Sequence, residues 1–271
     1  MPELPEVESY VRSLRQPLIG RTLTGVRVLW PRTIARPSVR VFKRQIVGYG
    51  IHALSRRAKY FVFELESPSR PTAYLLVHLK MTGQLDVVSR ERPIDKHDRV
   101  IFDLSDGLQL RFNDARKFGR MYWVNDPERV TGGLGPEPLS QTFTLAAFKH
   151  RLARRKGRLK PLLLDQTFLA GVGNIYADEA LWLARLHPLR RADSLSDAEA
   201  RALYRSIRAA LNKGIQQNGA SFDWVYRTGA YAFRVYDRAG QPCRRCKRPI
   251  SRIVVGQRGT HFCPHCQPRK G

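Results

Sequence analysis

The chain opens Met1-Pro2-Glu3-Leu4-Pro5-Glu6, and its second residue carries distinctive chemistry. Initiator methionine is removed when the next residue is small, which would leave Pro2 with a secondary α-amine. An α-amino group ionises near ~8 against ~10.4 for lysine, so far more of it is neutral and nucleophilic at pH 7. Attack of that amine on a sugar C1′ gives an iminium, a fixed positive charge that acts as an electron sink for later eliminations. Glu3 beside it offers a carboxylate to stabilise the cation and to shuttle protons. The plainer alternative is a helix start whose acids answer the helix dipole.

The second constellation lies at the other end. Cys243-x2-Cys246 and Cys263-x2-Cys266 are separated by the sixteen residues 247–262. Two short turns then offer four thiolates to one tetrahedral zinc, and in a reducing compartment this reading is preferred to disulfides. A closed four-cysteine site has no open position, so the zinc should fold the module and catalyse nothing. Between the pairs, Arg258 sits in GQRGTHF, where flanking glycines suggest a hairpin tip; a presented arginine and a merely solvated one are both open. Gly171 and Gly173 of LAGVGNIYA precede a helix expected to start near Asn174 or Ile175, and such an N-terminus with free N–H groups could seat a phosphate. The basic run Arg151 to Lys160 just upstream is either a binding surface or a solvated helix face.

Elements must position these groups. Val7, Tyr10, Val11, Leu14 and Leu18 recur at helical spacing and predict a helix from about Pro5. Tyr60–Glu66, Tyr74–Leu79, Val100–Leu104 and Leu108–Phe112 read as strands, with Ser105-Asp106-Gly107 as a hairpin turn, so an antiparallel β-sandwich is expected. Gly132 to Ser140 (GGLGPEPLS) ends the strand pattern. Helices follow over Leu145–Arg154, Tyr176–Leu186 and Ser196–Gln217, the last opening with the capping box Ser196-Asp197-Ala198-Glu199. The organisation expected is an N-terminal catalytic domain over 1–133, a hinge over 134–140, a helical domain over 141–235 and a zinc finger over 236–271.

Composition narrows the partner. The chain has 271 residues, 48 Lys and Arg against 23 Asp and Glu, and a net charge of +25. That excess points to nucleic acid or an anionic membrane, although a ribosome-associated or heat-adapted surface would share it. No stretch approaches the roughly 20 apolar residues of a membrane span, and the acidic start is unlike a secretory signal, so a cytoplasmic protein is expected.

Several motifs occur together and in order: MPELPEVE, Arg56-Arg57-Ala58-Lys59-Tyr60, His78-Leu79-Lys80-Met81-Thr82-Gly83, Lys96-His97-Asp98, Asn113-Asp114-Ala115-Arg116-Lys117-Phe118-Gly119, LGPEPLS, GVGNIYADEALW and the paired CxxC tail. Through them the whole chain resembles the formamidopyrimidine-DNA glycosylases, bacterial enzymes that remove oxidised purines. The resemblance implies an α+β fold with a helix-two-turn-helix element at GVGN. It implies a bifunctional glycosylase and AP lyase of base excision repair, acting as a monomer on nucleoid DNA that contains 8-oxoguanine, formamidopyrimidines or abasic sites, with one structural zinc.

By the same resemblance Pro2 is the Schiff-base nucleophile, Glu3 the acid/base and Glu6 a supporting carboxylate. Lys59 serves the β-elimination, and Arg258 serves the δ-elimination or holds the phosphate there. Met81, Arg116 and Phe118 would fill the space left by a flipped base and meet its orphaned partner. His78 is counted among the DNA-binding residues, and His97, Arg155, Lys160 and Asn174 would hold phosphates. Lys80 stands where many relatives have glycine, and Ala115 and Lys117 alter the usual Asp-Pro-Arg-Arg-Phe-Gly. The segment Asn218–Tyr236 is shorter than in purine-specific members, and its ending GAYAFRVY is closer to endonuclease VIII, which leaves oxidised pyrimidines as the alternative substrates. A non-catalytic binder of damaged DNA is the alternative of another class; it would need none of Pro2, Glu3 and Lys59.

Overall fold

A computed structural model describes residues 1–220 and 229–269. The chain divides into two compact units. The first contains residues 1–2 and 7–133; the second contains residues 3–6 and the described residues from 134 onward.

Helix α1 (Leu4–Leu18), in the first unit from Val7 onward, buries Val7, Val11, Leu14 and Leu18, the stripe that its spacing predicts. Nine strands follow: β1 (Leu23–Val28), β2 (Ile34–Arg36), β3 (Gly50–Arg57), β4 (Tyr60–Ser67), β5 (Arg70–His78), β6 (Gly83–Ser89), β7 (Asp98–Leu104), β8 (Leu108–Asp114) and β9 (Arg120–Val124). They form sheets of order β1-β7-β8-β6 and β2-β9-β5-β4-β3. Pairing is antiparallel throughout except that β2 runs parallel to β9. Phe61, Phe63 and Leu65 alternate along β4 and are all buried, as are Phe102 of β7 and Phe112 of β8. Helix α2 (Val39–Ile46) is capped by the Ser38 hydroxyl and buries Phe42 and Ile46. A single turn, α3 (Glu128–Thr131), closes the unit.

The second unit is helical up to its tail. It contains α4 (Leu145–Ala153), α5 (Leu159–Leu164), α6 (Asn174–Leu183) and α7 (Asp197–Gln216). Phe148, Leu163, Phe168, Tyr176, Leu203, Ile207 and Leu211 share one core. The expected capping box forms, with Ser196 Oγ accepting from Glu199 N–H and Glu199 returning the bond to Ser196 N–H. The tail folds into the hairpin β10 (Ser251–Val255) and β11 (Arg258–Phe262) beside a small core of Trp182, Val235 and Ile250. Among the described residues no helix is long and apolar enough to cross a membrane.

Candidate active site

In the first unit antiparallel pairing gathers strand ends. Tyr60 faces His78 and His78 faces Arg120 in one sheet; Gly83 faces Asp114 and Asp98 faces Asn113 in the other. The turns between these ends carry Lys59, Met81, His97, Arg116 and Phe118. Lys59 is buried and follows Ala58, whose φ of 53° makes a tight left-handed corner. His78 Nδ1 accepts the Lys80 N–H at 3.0 Å, and its ring stands edge-on to Tyr60. Burial, then the nearby Lys80 and Lys59 charges, hold its pKa down to about 3, so the imidazole is neutral with Nε2 as its donor.

Two of these turns hang on one carboxylate. Buried Asp114 accepts the Thr82 hydroxyl at 2.5 Å through Oδ1 and the Gly119 N–H at 2.8 Å through Oδ2, while Thr82 Oγ1 accepts the Arg116 N–H at 3.2 Å. The tips are left outside: Met81 is 43% exposed and Phe118 46%. The Arg116 guanidinium lies 5.1 Å from the Phe118 ring centre. Lys80 and Lys117 have φ of 57° and 61°, so each turn reverses through a left-handed residue. Behind them the His97 carbonyl accepts Asp114 N–H, and Arg99 Nε donates to the Asp114 carbonyl.

In the second unit the start of α6 is the organising feature. Glu3 Oε2 accepts the N–H groups of Gly173 at 2.8 Å and Tyr176 at 3.3 Å, and Oε1 accepts Ile175 N–H at 2.8 Å. These are the donors that the sequence offers to a phosphate, so that expectation is corrected: the helix N-terminus is taken by the chain's own carboxylate. A Cβ on Gly173 would land on that carboxylate, which is the reason for the glycine. Glu6 Oε2 accepts Glu3 N–H at 2.8 Å, and its Oε1 accepts the Tyr176 hydroxyl at 2.7 Å and Ala220 N–H at 2.8 Å. Burial and the Glu6 charge push the Tyr176 phenol far up, so it serves as a donor.

Lys160 is a second correction. Its side chain is 0% exposed, and Nζ donates to Asp178 Oδ1 at 2.6 Å and to the Asn174 carbonyl at 2.9 Å. An ammonium so enclosed holds α6, not a phosphate. Asn174 Nδ2 donates to the Gly259 carbonyl at 2.9 Å, next to Arg258. Arg258 is exposed and is the first residue of β11, not the hairpin tip, which is Gly256-Gln257. Arg155 is exposed on the connection from α4, its guanidinium 6.0 Å from the Phe168 ring centre.

The carboxylates Asp178 and Glu179 are absent from the sequence-derived site. Glu179 is fully buried and gathers the N–H groups of Arg234, Val235 and Tyr236 with the Tyr231 hydroxyl. Two consecutive acids in the otherwise apolar NIYADEALWL were the available signal. Residues 221–228, the middle of the short Asn218–Tyr236 segment, lie outside the described residues.

The sulfurs of Cys243, Cys246, Cys263 and Cys266 lie within 4.8 Å of one another. Zn–S bonds of about 2.3 Å require tetrahedral edges of about 3.8 Å, so the four thiols fit the ion. Burial, hydrogen-bonded thiols and the Cys263 and Cys243 charges push Cys266 up to about 12, so four thiolates side by side need a cation to coexist. The module binds one structural zinc.

Three family models match in succession: the formamidopyrimidine-DNA glycosylase N-terminal domain over residues 1–121, the H2TH domain over 134–224, and a zinc finger found in FPG and IleRS over 240–269. The chain is 47% identical to a formamidopyrimidine-DNA glycosylase of Herpetosiphon aurantiacus, covering 98% of this chain and 100% of the relative. It is similar to the crystal structure of Lactococcus lactis Fpg (MutM) with DNA containing N7-benzyl-Fapy-dG, at a TM-score of 0.92 and 35% identity over 99% of this chain and 100% of that one. A MutM complex with DNA containing carbocyclic 8-oxo-G gives a TM-score of 0.92, 35% identity and the same coverage of 99% and 100%. With whole-length identity, all three domains matched in order and one fold, the chain belongs to the formamidopyrimidine-DNA glycosylase family.

Proposed function

We propose that this chain, a DNA glycosylase of base excision repair, excises oxidised purines through Pro2 and then opens the strand by β,δ-elimination. The observation that carries the reading is the fixing of Glu3. Three N–H donors hold its carboxylate and Glu6 holds its own N–H, so the acid that follows Pro2 has one orientation.

Met1 precedes Pro2 in the sequence, so the nitrogen becomes an amine only after its removal. The Pro2 nitrogen then bonds to C1′ as the C1′–base bond breaks. The sugar opens at C1′–O4′, with O4′ gaining a proton and the nitrogen losing its own, which leaves an iminium. Loss of a C2′ proton expels the 3′ phosphate from C3′, loss of a C4′ proton expels the 5′ phosphate from C5′, and water releases the sugar fragment and restores the amine. Glu3 stabilises the cation and carries protons, Lys59 serves the first elimination and Arg258 the second. Neutral His78 donates Nε2–H to the backbone, His97, Arg155 and Asn174 add phosphate contacts, and Met81, Arg116 and Phe118 enter the duplex. Lys160 supports from within. The substrate is duplex DNA with oxidised bases or abasic sites, handled by a monomer in the bacterial cytoplasm and nucleoid.

Borohydride added during turnover should trap a covalent adduct at Pro2 of protein lacking Met1, read by peptide mass spectrometry. An adduct at Lys59, or full activity with Met1 retained, overturns the assignment. A panel of single-lesion duplexes decides the base: GAYAFRVY keeps the oxidised-pyrimidine alternative in play, and faster excision of oxidised pyrimidines than of 8-oxoguanine would replace the purine reading.

A further inference from the structure

Among the described residues the hairpin that carries Arg258 has two strands, and one edge of β11 has no strand beside it. Unpaired backbone groups on such an edge must find other partners. Here α6 supplies them from side chains. Asn174 Nδ2 donates to the Gly259 carbonyl at 2.9 Å, and Asp178 Oδ2 accepts the His261 N–H at 2.8 Å. Gly259 and His261 are alternate residues, so both face the same edge, and α6 stands in for a third strand beginning one residue after Arg258.

Asp178 is fully buried and has a second duty. Its Oδ1 takes the Lys160 ammonium at 2.6 Å, and that ammonium also donates to the Asn174 carbonyl at 2.9 Å. The network therefore closes: Lys160 fixes Asp178 and the first residue of α6, both fix β11, and Glu3 caps the same helix. Asparagine could accept from His261 N–H, but its amide would then point N–H donors at the ammonium.

We propose that Asp178 is a positioning residue for Arg258: it sets the register of β11 against α6 and so places the guanidinium for the second elimination. The proposal rests on the role given to Arg258 above. Asp178 is not a catalytic residue, and nothing here requires it to touch DNA.

The test uses full-length, zinc-loaded protein and a preformed abasic duplex, with β- and β,δ-products resolved on one gel under single turnover. Both products arise from the same intermediate, so loss of folded protein lowers them together and leaves their ratio unmoved. Asp178→Asn should lower the δ-step at least about ten-fold relative to the β-step, with borohydride trapping within about three-fold of wild type. Adding Lys160→Met to Asp178→Asn removes the opposed ammonium and should restore the ratio. Arg258→Ala is the control. If it leaves the ratio intact, the role of Arg258 falls and this inference falls with it. If it shifts the ratio while Asp178→Asn does not, or if Asp178→Asn lowers both products in proportion, the positioning role of Asp178 alone is overturned.

Discussion

The turns around Asp114 and the start of α6 solve opposite problems. Around Asp114 one buried carboxylate holds two turns, and the side chains those turns present, Met81 and Phe118, stand outside. Around α6 four carboxylates, those of Glu3, Glu6, Asp178 and Glu179, are all buried, and their partners are mostly backbone N–H groups. Under the proposed function, Met81 and Phe118 meet bases and must adapt to them, whereas Glu3 answers a developing cation and must be fixed beforehand. The first region fixes its roots and frees its tips; the second fixes everything.

The sharpest way to break this contrast is at the zinc. Cys246→Ser, or chelation, should unfold the hairpin that α6 holds, since folding of such a module is largely metal-binding free energy. Binding to an abasic duplex should fall more than about 100-fold, measured by titration alongside zinc content. A metal-free protein that binds normally would show that the helix orders the hairpin unaided.

On the exposed side the effect should be smaller and selective. Arg116→Ala should cost on the order of 1.5 to 3 kcal/mol of preference for the base opposite the lesion, roughly ten- to a hundred-fold in rate, because it removes a charged donor. Excision of 8-oxoguanine opposite each of the four bases measures it; cytosine should be preferred and adenine poorest in wild type, with the preference flattened in the variant. A variant that keeps the preference would remove Arg116 as the reader.

The smallest effect, taken per unit of the variable changed, concerns His78 and pH. Above pH ~6.5 it is neutral folded or unfolded; below that the unfolded chain gains a proton that the folded site refuses until about 3. Stability should therefore fall with falling pH by about 1.4 kcal/mol per unit in that window. Denaturant melts at two pH values should show a slope in wild type that is smaller by this amount in His78→Gln. Equal slopes would mean that the histidine is not neutral in the fold.

Much of this was legible in the sequence because it is periodic or locally spaced. The α1 stripe, the α7 capping box and the aromatic strands β4, β5, β7 and β8 announce themselves within ten to twenty residues. Helix α2 did not: Val39-Arg40-Val41 alternates like a strand, and only Ser38 with Phe42 and Ile46 four apart marks a helix. Pro2, Glu3 and the paired cysteines stand out by chemistry. Lys160 does not separate from the basic run before it, because charge in a sequence carries no sign of burial. Asp114, Asp178 and Glu179 were hard to read for a related reason: the paired acids of α6 were a signal, but the partners of all three are reached only through the fold.

The turn Gly256-Gln257 has φ of 55° and 61°, the two-residue link that joins Val255 to its partner Arg258. Side chains alternate along a strand, so a one-residue slip in the register of β11 would turn Arg258 to the opposite face, and a two-residue turn leaves no slack for one. The sixteen residues between Cys246 and Cys263 are thus a ruler as well as a tether. Under the role proposed for Arg258, the length of this tip matters to strand cleavage as well as to metal binding.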